Sequence, residues 1–238
     1  MGLETAKKAR APLTRERVLR TAVELADERG VEALTMRALG QELGVEAMSL
    51  YNHVENKAEI LSGIVDVVCE EIVAAVDQIP PPDDPADWKP VLRARILAAR
   101  QVLLQHRWAP AQLEALRDIP PSLIGYYDEI LGLMRGGGFS LDLGHHAMHA
   151  LGSRALGFAQ ELFVEADHDI DPDVMTMMLK QMAGRYPHMA DLMKIVVHDP
   201  ESTLGGCDDQ FEFEFGLDVI LDGLDRLREA GWQSPAHT

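Results

Sequence analysis

The chain has 238 residues, of which 47% are hydrophobic and 26% charged, a balance that excludes a disordered or fibrous polymer and allows one large domain or a small one joined to a larger. No run approaches the ~18 to 20 uncharged apolar residues that span a bilayer, and the two distant cysteines, Cys69 and Cys207, make neither a disulfide framework nor a CxxC metal site. The formal net charge of −17 argues against binding nucleic acid with the whole surface, so phosphate contacts have to come from a local basic region.

That region is the N-terminal end. Within the first twenty residues Lys7, Lys8, Arg10, Arg15, Arg17 and Arg20 face only Glu4 and Glu16. Residues 1–60 hold nine basic side chains against ten acidic, and the rest of the chain thirteen against twenty-nine. Such an asymmetry separates a nucleic-acid-facing module from a body kept off the duplex. No apolar stretch follows the N-terminal charges as it would in a secretion signal, so the protein is expected in the cytoplasm, without a membrane partner and with both cysteines as buried thiols.

The first helix is predicted between Thr14 and a stop at Gly30, with Val18, Ala22, Leu25 and Ala26 at spacings of three and four. Thr35 can cap a second helix that turns Leu39 and Leu43 inward and ends at Gly44, a residue suited to a left-handed C-terminal turn. A short third helix follows, roughly Ala47 to His53. Asn56 and Glu59 form a capping-box pair that opens a long helix with Ile60, Ile64, Val67, Val68 and Ile72 on one face. The proline-rich segment from Ile79 to Pro85 breaks it.

Further helices are predicted at about Trp88 to Gln105, Pro121 to Arg135 and Ser140 to Glu165. Phe213, Leu217, Ile220, Leu224 and Leu227 mark a last one, and Glu165 to Pro172 and Asp199 to Asp209 read as loops. No βαβ alternation occurs. The class is therefore all-α, with three short helices in helix-turn-helix outline followed by a helical bundle.

The stretch LTRERVLRTAVELADERGVEALTMRALGQELGVEAMSLYNHVENKAEIL, residues 13–61, closely resembles the DNA-binding domain of the TetR family of bacterial transcriptional repressors, with RALGQELGV as the turn and SLYNHVENKAEIL as the recognition helix and the start of the next. A fainter resemblance to the tetracycline-repressor-like regulatory domain runs through GGGFSLDLG, LGFAQE and FEFGLDVILDGLDRL. The resemblance implies a DNA-binding domain over residues 1–56 and a ligand-binding and dimerisation domain over 57–238. It implies DNA contacts from Thr35, Arg37, Ala47, Met48, Ser49, Tyr51, Asn52, His53 and Lys57, with Arg37 at the position that reaches a guanine edge and Ala47, Met48 and Ser49 at the groove-facing start of the recognition helix. The chemistry agrees: Tyr51 and His53 offer O–H and N–H donors, and Lys57 sits in a first helical turn, whose free N–H groups attract phosphate. Composition alone favours Tyr51 as a core tyrosine and Lys57 as a solvated charge, a preference that the resemblance overturns.

Candidate ligand residues lie in the body. His145 and His149 have the i, i+4 spacing of two imidazoles sharing a metal, but no third ligand is evident, and Glu165-x-x-His168 occurs once where a di-iron bundle needs it twice. Glu161 falls where tetracycline repressors offer a carboxylate. The matching places for their metal-binding imidazole and drug-binding amide hold Leu113 and Arg95, and that of a third polar contact Val73, so no metal or other cofactor is expected. Six methionines lie between Met175 and Met193, Met178 among them, with flexible chains suited to an adaptable wall or to loose core filling. Trp108, Tyr126 and Tyr127 complete the set of possible anchors.

These residues point to a homodimeric repressor that reads a palindromic operator and is released by a small, mainly apolar molecule, not to an enzyme. Two other readings stay open: a constitutive dimeric regulator without ligand, and a metal-dependent bundle enzyme using His145, His149 and a carboxylate such as Glu161.

Overall fold

The computed structural model describes residues 12–116, 119–157, 172–198 and 209–235. Among them there is no strand, and the helices are α1 Arg15–Arg29, α2 Met36–Leu43, α3 Ala47–Leu50, α4 Lys57–Val76, α5 Trp88–Gln105, α6 Ala109–Ala115, α7 Pro121–Gly136, α8 Leu141–Gly157, α9 Pro172–Arg185, α10 Pro187–His198 and α11 Asp209–Glu229. No described helix is long and apolar enough to cross a membrane. Two compact units result, one ending at Phe139 and one beginning at Ser140.

In the first unit the helix starts are the capping residues read from the sequence. Thr14 Oγ1 accepts from the Arg17 N–H at 3.2 Å, Thr35 Oγ1 from Ala38 at 3.1 Å, and Asn56 Oδ1 from Glu59 at 3.0 Å. The Glu59 carboxylate reaches back one residue further than in a regular capping box and accepts from the Glu55 N–H at 2.6 Å. Gly44 ends α2 in the left-handed region, and the Val45 N–H donates to the Gly40 carbonyl at 2.8 Å, closing a Schellman turn that aims α3 across α2.

Val18, Ala22, Leu25 and Ala26 of α1 bury against Leu39 and Leu43 of α2, Leu50 of α3 and Ile60 and Ile64 of α4. The second half of α4 enters another core, where Val68, Ile72 and Val76 meet Ala99 and Val102 of α5 and Ala109 of α6. Trp88, at the start of α5, packs edge-on to Phe139 with ring centroids 4.7 Å apart.

Two expectations need correction, and others fall outside the described residues. The third helix stops at Leu50, not His53, because residues 51–53 form turns that lead to the buried Val54. The helix α6 was not anticipated, nor were α9 and α10, which pack on each other in the second unit. The helix predicted to run to Glu165 is described as far as Gly157, and the loops predicted at 165–172 and 199–209 lie almost wholly outside the described residues, as does Cys207. Cys69 is a buried thiol that burial and the nearby Asp66 and Glu70 push up to about 11.

The second unit joins α8 to α11: Leu143, Ala147 and Leu151 lie buried in α8, and Phe213, Leu217, Leu221 and Leu224 in α11. The tail after α11 folds back on α8, with the Ser234 N–H donating to Asp142 at 2.6 Å and Trp232 edge-on to His146.

Glycine substitutions should separate close packing from propensity. A Cβ at Gly40 would lie 2.9 Å from the Val45 carbonyl oxygen, whereas one at Gly125 in α7 meets nothing within 4 Å. Urea denaturation is expected to show Gly40→Ala destabilised by roughly 1–3 kcal/mol through the backbone clash, and Gly125→Ala stabilised by ~0.5–1 kcal/mol.

Candidate DNA-reading head and its tie to the body

α2, the Gly44 turn and α3 hold an exposed row of side chains. Met48 is 75% exposed and Tyr51 48%, which removes the reading of Tyr51 as a core residue. Thr35, Arg37, Asn52 and Lys57 are exposed, and Ala47, Ser49 and His53 half-buried. Arg37 and Lys57 have no hydrogen bond or ion pair among the described residues, so both charges are available. The Thr35 hydroxyl caps α2 through its oxygen and keeps its proton to donate. Lys57 is the first residue of α4, where the free N–H groups of a 20-residue helix favour an anion. The basic arm is only partly available. Arg15 pairs with Glu59 at 3.4 Å and Arg20 with Glu16 at 3.1 Å, while Lys7, Lys8 and Arg10 lie outside the described residues.

The other candidates do not form one site among the described residues. Trp108 donates its Nε1–H to Asp27 of α1 at 2.6 Å, so its polar atom is already engaged. Tyr127 lies beside Tyr126 with ring centroids 5.9 Å apart, and burial raises the pKa of both phenols, which stay protonated. His145 and His149 are exposed on α8 with rings 4.7 Å apart, and no group of three metal-ligating side chains exists among the described residues. Glu161, like His168, lies outside the described residues; Met178 is on α9, and its neighbour Met177 is 59% exposed.

Sequence reasoning missed the buried His106, the residue that ends α5. Its Nδ1 lies 2.9 Å and 3.0 Å from the two carboxylate oxygens of Asp27, and its Nε2 3.0 Å from Glu71 Oε2 of α4. A neutral imidazole has one N–H, so only the protonated ring donates to both carboxylates. Burial opposes that charge, but the hydrogen bonds to Asp27 and Glu71 outweigh it, and the pKa is raised. The negative end of α5 favours the same form. His106 thereby ties α1 of the reading head to α4 and α5.

Residues 18–64 match the family model for bacterial regulatory proteins of the tetR family, and residues 81–228 that of the tetracyclin repressor-like C-terminal domain. The chain belongs to the TetR family of bacterial transcriptional regulators. Among its relatives, the HTH-type transcriptional repressor DrrR1 of Streptomyces coeruleorubidus is 32% identical over 90% of this chain and 78% of that protein. The tetracycline repressor protein class C of Escherichia coli is 31% identical over 91% and 92%. The structure of the Streptomyces coelicolor TetR family protein ActR in complex with (S)-DNPA aligns with a TM-score of 0.63 at 26% identity, covering 90% of this chain and 98% of that one. As a TetR-family regulator, the chain carries an N-terminal DNA-binding helix-turn-helix within the region that the first of these family models matches.

The His106 tie has a pH signature. A histidine whose pKa is raised by folding contributes stability that is complete below the unfolded value of 6.5 and is lost as pH rises through the folded value. His106→Gln should therefore cost ~1–3 kcal/mol at pH 6 in urea denaturation, and the gap to wild type should shrink steadily above neutrality.

Proposed function

We propose that this TetR-family regulator is a repressor that binds a palindromic operator as a homodimer and is released when a small, mainly apolar molecule occupies its body. The observation that carries the DNA reading is the exposed row Arg37, Met48, Tyr51 and Lys57, mounted on helices whose opposite faces are buried in one core. Arg37 reads a base edge, Ala47, Met48 and Ser49 enter the major groove, and Thr35, Tyr51, Asn52, His53 and Lys57 hold the backbone. One such head buries little surface, so a twofold pair of heads on a palindrome supplies the affinity. The functional division runs at residues 56–57, and the protein works in the cytoplasm without a resident cofactor.

The dimer surface differs from the apolar stripe that periodicity marks in α11. Phe213, Leu217 and Leu224 are buried inside the chain against α8, so charging Leu217 or Leu224 would unfold the unit and not merely separate the subunits. The outward stripe is Phe215 and Val219, 59% and 54% exposed, with Phe211 one turn before. The paired change Phe215→Asp with Val219→Asp should give a folded monomer in analytical ultracentrifugation. An unchanged dimer would place the contact elsewhere.

Selection of bound sequences from random duplex DNA should return a palindrome. On that operator Arg37→Ala should cost ~1–3 kcal/mol at one base position, and Lys57→Ala should weaken all sequences alike while reducing the salt slope by about one. Equal binding of operator and scrambled duplex by the wild type would refute the DNA-reading proposal.

A further inference from the structure

Within the first unit, the end of α4, the proline-rich link after it, α5 and α7 line an open, groove-like cavity of about 580 Å³. One wall is apolar, with Ile79, Pro80, Pro81 and Leu133. Another is bare backbone at Gly132 and Gly136 of α7, where an added Cβ would meet no atom within 4 Å. Trp108, Tyr127, His145 and His149 do not line it. Its one cation is Arg95, 8% exposed.

That guanidinium is poorly satisfied. Nε is buried with no hydrogen-bond acceptor among the described residues, Nη1 reaches Glu129 at 3.3 Å, and Nη2 reaches only the Ile79 carbonyl, at 3.4 Å. The Glu129 side chain is half in water, so it compensates the buried charge weakly. A guanidinium presents a planar fork of N–H donors that fits a carboxylate oxygen pair, and the fit is stronger away from water. At the more exposed side of the cavity Asp77 and Glu129 add negative charge, which disfavours ligands bearing two or more anionic groups.

We propose that this cavity binds a monoanionic organic acid, its anionic oxygens on Arg95 and its apolar body along the proline and Leu133 wall. The assignment deepens the ligand-response reading above and rests on it only for the effect on DNA.

The test is isothermal titration of the full-length, DNA-free protein with naphthalene-2-carboxylate, anthraquinone-2-carboxylate and decanoate, each against its own carboxamide. At least one acid is expected to bind about tenfold or more tightly than its amide. Arg95→Met should abolish that preference, and Gly132→Leu, which fills the space over α7, should weaken acid and amide alike. Failure of all three acids to bind, equal binding of acid and amide, a preference that survives Arg95→Met, or binding untouched by Gly132→Leu would each overturn the assignment. The acid-amide comparison on the wild type needs no variant to fold. Operator release is read separately: an acid held through Arg95 that leaves operator affinity unchanged keeps this site and removes the inducer role, whereas release by a compound indifferent to Arg95→Met keeps the inducer role and removes this site.

Discussion

The first unit depends on α4 belonging to two cores at once. Ile60 and Ile64 are buried with the helices of the reading head, and Val68, Ile72 and Val76 with α5 and α6. Twenty residues of continuous helix form a rod about 30 Å long. Such a rod moves as one piece, so the head follows whatever sets the direction of α4. At Gly63 the absence of a side chain lets Leu19 of α1 seat against the rod; a Cβ there would come within 2.6 Å of a Leu19 methyl.

The second tie is polar. His106 bridges Asp27 of α1 and Glu71 of α4 and sits beside Trp108, which bonds the same Asp27. Hydrophobic packing alone resists sliding weakly because it has no direction, whereas a charged imidazole between two carboxylates has one geometry. The head is therefore held by an apolar contact that supplies affinity and an ionic one that supplies register. On the proposed reading, the two functional ends lie on the same rod: Lys57 begins α4, and Asp77 and Ile79, just beyond its other end, line the cavity. A ligand there changes operator affinity only by its differential affinity for the orientations of α4 that do and do not fit DNA.

Much of the reading head was legible because its determinants are local. Thr14, Thr35 and Asn56 each bond an N–H three residues on, and Gly44 takes a left-handed turn that other residues adopt at a cost, so spacing and residue type sufficed. The short α3 was overestimated because Tyr51, Asn52 and His53 have no propensity strong enough to mark the stop; the burial of Val54 marks it. Arg95 stood out in the sequence only as a residue unlike the amide expected there, with nothing to show that it would be buried and short of partners.

From the sequence alone follow the all-α class, the caps and breaks of the main helices, the basic and acidic division of the chain and the family to which it belongs, because apolar periodicity, capping and proline act over a few residues. Tertiary structure alone decided which of two apolar stripes on α11 is inside. Phe213, Leu217 and Leu221 share a face, Phe211, Phe215 and Val219 share another, and both recur every four residues. Only the presence of α8 distinguishes them. Contact across the chain likewise decided His106, whose partners are 79 and 35 residues away in sequence, a separation over which no spacing rule operates. Its charge depends on the carboxylates that the fold brings to it, and that arrangement is a property of packing, not of any segment.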